Sequence, residues 1–136
     1  MYWGFVLVVK KSNPKEKLLT EVELELMQIL WSLEEGAVSE VQEALPEKRK
    51  LAYTSISTIL RILEQKGVLK SRKEGRGHIY VPILSKTQYE QTSLRHIVSR
   101  VFDGTPTALV KRLLEDPHLS EEDLQSIRSL LEGKRP

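Results

Sequence analysis

The chain has 136 residues, of which 40% are hydrophobic and 29% charged, a composition typical of one small globular domain with room for an appendage. It contains no cysteine, which excludes disulfides, zinc–thiolate sites and a cysteine nucleophile, and fits a reducing cytoplasm. The net charge of +2 is too small to indicate a partner, so the distribution of charge along the chain is more informative.

Residues 1–17 stand apart from the rest of the sequence. The apolar run MYWGFVLVV at residues 1–9 is far shorter than the ~20 residues of a membrane span, and it lacks the flanks of a signal peptide. The segment Ser12-Asn13-Pro14-Lys15 interrupts any regular structure. We therefore expect a flexible extension without membrane insertion, and the alternative interpretation is a functional anchor.

Two helices are predicted next. The first begins at Thr20, because Thr20 and Glu23 form a capping box, and Gly36 is predicted to end it. The second is predicted from a capping box at Ser39 and stops at Pro46. The predicted inward positions of these two helices are Val22, Leu26, Ile29, Leu30, Leu33, Val41 and Leu45.

A third helix is predicted from about Thr54 to Lys66, closed by Gly67, and a hairpin follows it. Its strands are predicted at residues 68–73 and 78–83, joined by Glu74-Gly75-Arg76-Gly77, whose two glycines allow positive φ angles. Tyr80 is expected to pack in the core, with a phosphate contact as the alternative. The predicted buried stripe of the third helix is Ile56, Ile59, Leu60 and Leu63.

The last third of the sequence predicts three amphipathic helices. They begin at the capping box of Ser85, at Thr105-Pro106 and at Ser120, with Gly104 and Gly133 as end signals. Helices of this size bury too little among themselves, so we expect them to pair with a second copy of the chain, or alternatively to fold back on the first domain. The predicted dimerisation residues are Ile97, Val101, Phe102, Leu109, Leu113, Ile127, Leu130 and Leu131.

Charge is divided sharply between neighbouring segments. Residues 16–46 carry a net charge of −7 and residues 47–82 a net charge of +6. A basic block of this kind is typical of a nucleic-acid contact, and the alternative interpretation is a solvated charged surface.

The exposed face of the third helix strengthens the interpretation as a DNA contact. It is rich in serine and threonine rather than in the Glu and Lys of a merely soluble surface, and a basic hairpin follows it. Arg61 would read a guanine or clamp a phosphate, and both roles stay open. The predicted DNA-binding residues are Thr54, Ser55, Ser57, Thr58, Arg61 and Gln65 on the helix, with Lys70, Arg72 and Arg76 on the hairpin.

Three stretches of the chain resemble a known family. The run LAYTSISTILRILEQKGVLKSRKEGRGHIYVPIL at residues 51–84 is similar to the winged-helix core of the penicillinase repressor family, of the BlaI, MecI and CopY kind. Residues 19–31 resemble that family's first helix, and residues 101–131 resemble its dimerisation region. The resemblance implies a homodimeric repressor that binds double-stranded DNA at an inverted-repeat operator.

The same resemblance implies a way in which the repressor is released from its operator. In several members a membrane-bound sensor protease system triggers cleavage between Asn and Phe in the dimerisation region, and here the aligned pair is Arg112-Leu113. Copper-responsive members carry a Cys-x-Cys cluster, which this chain lacks. The inducing signal therefore stays open.

The predicted fold class is mainly α with a small β-hairpin wing: a winged helix-turn-helix at residues 18–84, a helical dimerisation region at 85–133 and a tail at 134–136. We predict a cytoplasmic protein without catalytic, metal or cofactor sites, since its three histidines fall in separate elements and no nucleophile motif is present. The alternatives are a ligand-responsive winged-helix regulator of another family and a winged-helix protein-interaction module.

Overall fold

The structure, a computed structural model, describes residues 18–133 and divides into two compact units, of which one ends at Ser93 and the other begins at Leu94. The predictions for residues 1–17 and 134–136 lie outside the described residues. Within residues 18–133, no helix is long and apolar enough to cross a membrane.

Six α-helices and one antiparallel hairpin make up the described chain, which confirms the predicted fold class. The elements in chain order are α1 (Glu21–Leu33), α2 (Val38–Ala44), a 3-10 turn (Glu47–Arg49), α3 (Tyr53–Gln65), β1 (Leu69–Glu74), β2 (Gly77–Pro82), α4 (Lys86–Val101), α5 (Pro106–Glu115) and α6 (Glu121–Gly133).

The capping box of α1 forms as predicted, but the predicted helix end is wrong. The Thr20 Oγ1 accepts a hydrogen bond from the Glu23 N–H at 3.2 Å. The helix stops at Glu34, which takes a positive φ of 77°, rather than at Gly36. Gly36 instead exchanges backbone hydrogen bonds with Tyr80 of β2, of 3.0 and 2.8 Å. The reason for a glycine there is space, because an added Cβ would lie 3.3 Å from the Leu33 side chain.

The predicted start of α2 is also wrong by two residues. The helix follows Ala37, whose N–H donates to the Glu40 side chain at 2.8 Å, and Ser39 lies inside the helix. The Glu40 side chain accepts a hydrogen bond from the backbone N–H three residues before it, so α2 can begin after Ala37 although that residue has no hydroxyl group. Beyond the other end of α2, the Lys50 Nζ donates to the carbonyl oxygens of Gln42 and Glu43 at 2.8 and 3.3 Å.

The core of the first unit gathers apolar side chains from α1, α2, α3, both strands and the start of α4. In α1 the residues that lie inward include Met27, whereas Leu33, predicted to face inward, is 43% exposed. The buried apolar residues are Leu26, Met27, Leu30, Val38, Val41, Leu45, Ile56, Leu60, Leu63, Val68, Leu69, Tyr80, Leu84 and Tyr89.

Tyr89 extends this core into α4, past the predicted domain boundary at residues 84 and 85. Its hydroxyl accepts a hydrogen bond from the Leu19 N–H at 3.0 Å, and its ring lies 6.0 Å from that of Trp31. The Trp31 indole in turn donates to the Leu84 carbonyl at 2.8 Å. The first turns of α4 therefore belong to the first compact unit.

The hairpin pairs Leu69 with Pro82 at its base and Glu74 with Gly77 at its tip. Its loop is the pair Gly75-Arg76, and Gly75 has φ 61°, the position at which a tight two-residue turn favours glycine. Of the two glycines predicted to take positive φ, only Gly75 does so, because Gly77 is already the first residue of β2.

The second unit consists of helices that begin where the sequence predicts. Pro106 opens α5, and before α6 the Ser120 Oγ accepts from the Asp123 N–H at 3.0 Å. Asp103 and Gly104, with φ of 52° and 77°, turn the chain after α4. Neither α5 nor α6 has a buried residue, so the apolar stripes of both helices remain at least partly exposed to solvent.

One ion pair joins the start of α1 to the end of α3. The Lys66 Nζ lies 2.6 Å from the Glu23 Oε2, and the Glu23 side chain is only 8% exposed. Burial by itself raises the pKa of Glu23, but the hydrogen bonds from Lys66 and Thr20 outweigh it, so the pKa lies below its ordinary value. A carboxyl with a lowered pKa stabilises the fold at neutral pH, and this contribution is lost as the pH falls through the folded pKa.

Replacing Glu23 with Gln should therefore lower the free energy of unfolding at pH 7 by about 1.5–3 kcal/mol, the usual contribution of a hydrogen bond to a charged group. Urea denaturation at several pH values measures this, and the difference from wild type should shrink as the pH falls through the lowered pKa of Glu23. Glu21→Gln, on an exposed residue of the same turn, is the matched control and should cost less than about 1 kcal/mol. Equal losses for the two variants, or a difference independent of pH, would contradict this role.

Candidate DNA-binding surface

Helix α3 has one buried face and one polar face, as predicted. Ile56, Leu60 and Leu63 are fully buried, and Ile59 is half-buried at the edge of the core. The predicted DNA-binding residues of α3 lie on the solvent side: Thr54, Ser55, Thr58, Arg61 and Gln65 are exposed, and Ser57 is half-buried. Burial of the apolar stripe therefore forces these polar side chains outward together.

The structure adds Tyr53 to this surface. Tyr53 is the first residue of α3 and is 52% exposed, next to Thr54. Helical spacing had placed it near the apolar stripe of Ile56, so the sequence pattern gave no reason to assign it to the polar surface.

The two faces of the hairpin, called the wing from here on, differ in what they contact. Leu69 and Tyr80 point into the core, and the Ser71 Oγ donates to the Glu64 Oε2 of α3 at 2.8 Å. Lys70 and Arg72 alternate with these residues and lie together on the opposite face, as the strand periodicity predicts.

Arg72 is already bound within the protein. Its Nη1 and Nη2 lie 2.9 and 2.8 Å from the two carboxylate oxygens of Glu35, and Glu74 lies 3.5 Å from Nη2. The hydrogen bond from Arg72 is the main reason that the pKa of Glu35 lies below its ordinary value, and Glu35 likewise raises the pKa of Arg72. The sequence placed Arg72 on the right face but did not reveal this partner.

Other cations of the basic block are also engaged. Arg49 pairs with Glu25 at 2.9 Å, Lys66 pairs with Glu23, and Lys50 caps α2. Apart from Lys50, the basic residues between 47 and 82 that form no ion pair within residues 18–133 are Lys48, Arg61, Lys70, Lys73 and Arg76. The charge available to an anionic partner is therefore smaller than the sequence total for this block.

Tyr80 lies in the core of the first unit, which confirms core packing over a phosphate contact. It is 5% exposed, and burial is the main cause of its raised pKa. The charges of Glu64 and Arg61, both on α3, also act on its hydroxyl. The wing and α3 thus share one piece of the core.

Comparison of the sequence with known protein families gives a match over nearly all of the described residues. The model of the penicillinase repressor family matches residues 19–133. The chain belongs to the penicillinase repressor family. A penicillinase repressor of Bacillus licheniformis is 29% identical over 114 residues, which cover 84% of this chain and 89% of that protein. The transcriptional regulator BlaI of Mycobacterium tuberculosis is 30% identical over 115 residues, which cover 71% of this chain and 83% of that protein.

Among solved structures, the solution structure of the DNA-binding domain of the repressor BlaI covers 59% of this chain and 94% of its own, at 30% identity and a TM-score of 0.48. The predicted family and the predicted function, a DNA-binding transcriptional repressor, are confirmed by the family match. The family is one of repressors rather than of enzymes.

Proposed function

We propose that this protein is a cytoplasmic repressor that binds an inverted-repeat operator as a homodimer and reads the operator with α3. The observation that carries the proposal is the exposed polar face of α3, held outward by three buried residues of the same helix and flanked by a basic wing. Membership of the penicillinase repressor family supports the same function.

In this proposal the N-terminal half of α3 enters the major groove, which is wide enough to admit a helix. Thr54, Ser55, Ser57 and Thr58 have short side chains, so the helix can approach closely, and their hydroxyls bond base edges or phosphates. Arg61 lies one turn further along the same exposed face, where its guanidinium can reach the two acceptors of a guanine. Gln65 lies at the end of the helix and takes a peripheral contact.

Phosphate contacts supply the remaining affinity. Arg76 occupies the turn of the wing, is exposed and forms no ion pair within residues 18–133, so its charge is available to the DNA backbone. Such contacts fix the position of the protein on the duplex without reading its sequence.

The helices of the second unit support the homodimer. They leave large apolar side chains in solvent, including Val101 at 63%, Leu130 at 75% and Leu131 at 76% exposure. The other predicted dimerisation residues, Ile97, Phe102, Leu109, Leu113 and Ile127, are exposed or half-buried in the single chain. Pairing two copies about a two-fold axis would cover these residues and match the symmetry of an inverted repeat.

The dimer is then the natural point of control. Two linked α3 helices bind one operator far more tightly than one does, so any signal that separates the copies releases the DNA. Arg112 and Leu113, which align with the cleavage site of the family, lie exposed within α5, and Arg112 is paired with Glu115 at 2.7 Å.

The proposed roles of Arg61 in base recognition and of Arg76 in phosphate binding are testable with two alanine variants. Arg76→Ala should weaken binding to operator and mixed-sequence DNA alike and reduce the slope of log K against log salt by about one unit. Arg61→Ala should weaken operator binding more, and narrow the difference between the two DNAs by ~1–3 kcal/mol. Fluorescence anisotropy on both duplexes measures this, and equal losses on both DNAs for Arg61→Ala would show that Arg61 contacts the backbone.

The dimer is testable in the full chain. Leu130→Glu and Leu131→Glu should each raise the dimer dissociation constant at least about tenfold, because a buried carboxylate costs far more than the 1.4 kcal/mol that this factor represents. Analytical ultracentrifugation measures the change, and Gln125→Glu on an exposed polar position of α6 controls for the added charge. A wild-type chain that is monomeric at micromolar concentration and still binds its operator tightly would contradict the proposed dimer.

A further inference from the structure

The wing has a face that continues the surface of α3 and a face that points away from it. Ser71 and Tyr80 define the first face, since Ser71 is hydrogen-bonded to Glu64 of α3 and the charges of Glu64 and Arg61 on that helix act on the buried Tyr80 hydroxyl. Two residues further along each strand, the alternation places Lys73 and His78 on this same face. They are paired directly across the hairpin, and the His78 ring lies 6.5 Å from that of Tyr80.

The second face carries Lys70 and Arg72, and it is approached from the loop between α1 and α2. Glu35 in that loop binds Arg72 through both carboxylate oxygens. The next residue, Gly36, pairs through its backbone with Tyr80 of β2. The Arg72–Glu35 pair therefore lies beside the one backbone bridge that joins this loop to the wing within residues 18–133.

We propose that the wing meets the DNA backbone with the face that carries Lys73, and that Arg72 on the other face is a positioning residue that holds the wing through Glu35. The proposal rests on the proposed function, because it takes the exposed face of α3 as the side on which the DNA lies.

Availability of charge supports this choice of face. Lys73 is exposed, lies on the α3 side of the sheet and forms no ion pair within residues 18–133. Arg72 would have to release Glu35 before it could bind a phosphate, and the carboxylates of Glu35 and Glu74 would repel that phosphate. A free lysine on the near face is therefore the better phosphate ligand, although the sequence pattern alone favours Arg72.

Lys73 and Lys70 form a matched pair for the test, because both are exposed lysines of β1 on opposite faces and neither forms an ion pair within residues 18–133. Binding of the full chain to a mixed-sequence DNA duplex is measured between about 50 and 200 mM salt. Lys73→Gln should reduce the slope of log K against log salt by about 0.9, the value for one phosphate contact. Lys70→Gln removes the same charge and should change the slope by less than half as much.

A reduction for Lys70→Gln that equals or exceeds that for Lys73→Gln would overturn the assignment of the face. Failure of the proposed function gives a different result, since the wild-type chain would then show no salt-dependent binding to the duplex. Circular dichroism and thermal unfolding of both variants should match wild type, because both side chains are exposed.

The role of Arg72 is tested with Glu35→Gln, Arg72→Gln and the exchanged pair Glu35→Arg with Arg72→Glu. If Arg72 positions the wing, both single variants weaken binding by at most about fivefold, as expected for an exposed pair, and the exchanged pair restores affinity at unchanged net charge. If Arg72 contacts a phosphate, Glu35→Gln strengthens binding and the exchanged pair stays weak. That second result would overturn the proposal for Arg72.

Discussion

Burial of Ile56, Leu60 and Leu63 fixes the orientation of α3 in the first unit. Each fully buried aliphatic side chain of this kind contributes about 1.5–3 kcal/mol, so α3 cannot rotate about its axis without losing much of the stability of so small a unit. The polar face of α3 is consequently fixed towards solvent. Two contacts add to this constraint: the Lys66–Glu23 ion pair beyond the end of the helix and the Glu64–Ser71 hydrogen bond in its last turn.

Burial in the same core also holds the hairpin, which consists of two six-residue strands, in place. A two-stranded hairpin is only marginally stable alone, so its orientation has to come from neighbouring elements. Tyr80 helps to set this orientation, because its side chain is buried in the core while its backbone pairs with Gly36. On the opposite face of the wing, Arg72 is bound to Glu35 of the loop between α1 and α2. The wing is therefore positioned by the core of the unit that also orients α3, and both can act on one DNA surface.

Sequence reasoning succeeded where the signal is local and failed where a distant residue decides. The boxes of Thr20 with Glu23 and Ser85 with Gln88 satisfy helix ends within four residues, and both form as predicted. Gly36 was misread as a helix end because its partner, Tyr80, is remote in sequence. Strand alternation predicts the side of the wing on which Arg72 lies, but it cannot predict the ion pair with Glu35. The hydrogen bond between Leu19 and Tyr89 of α4 likewise joins residues that are remote in sequence. The polar face of α3 apart from Tyr53, in contrast, follows from one helical projection.

In the proposed complex, two copies of this chain are joined through their last helices and place two α3 helices in the major groove of one operator. Hydroxyl-radical footprinting of the full chain on the DNA upstream of its own gene tests this most directly. If the dimer binds in this way, the DNA is protected on one side of the duplex at two half-sites related by inversion. The centres of these half-sites lie about 10–10.5 base pairs, or a whole multiple of that, apart. Protection of a single half-site, or of a continuous stretch without helical periodicity, would contradict it.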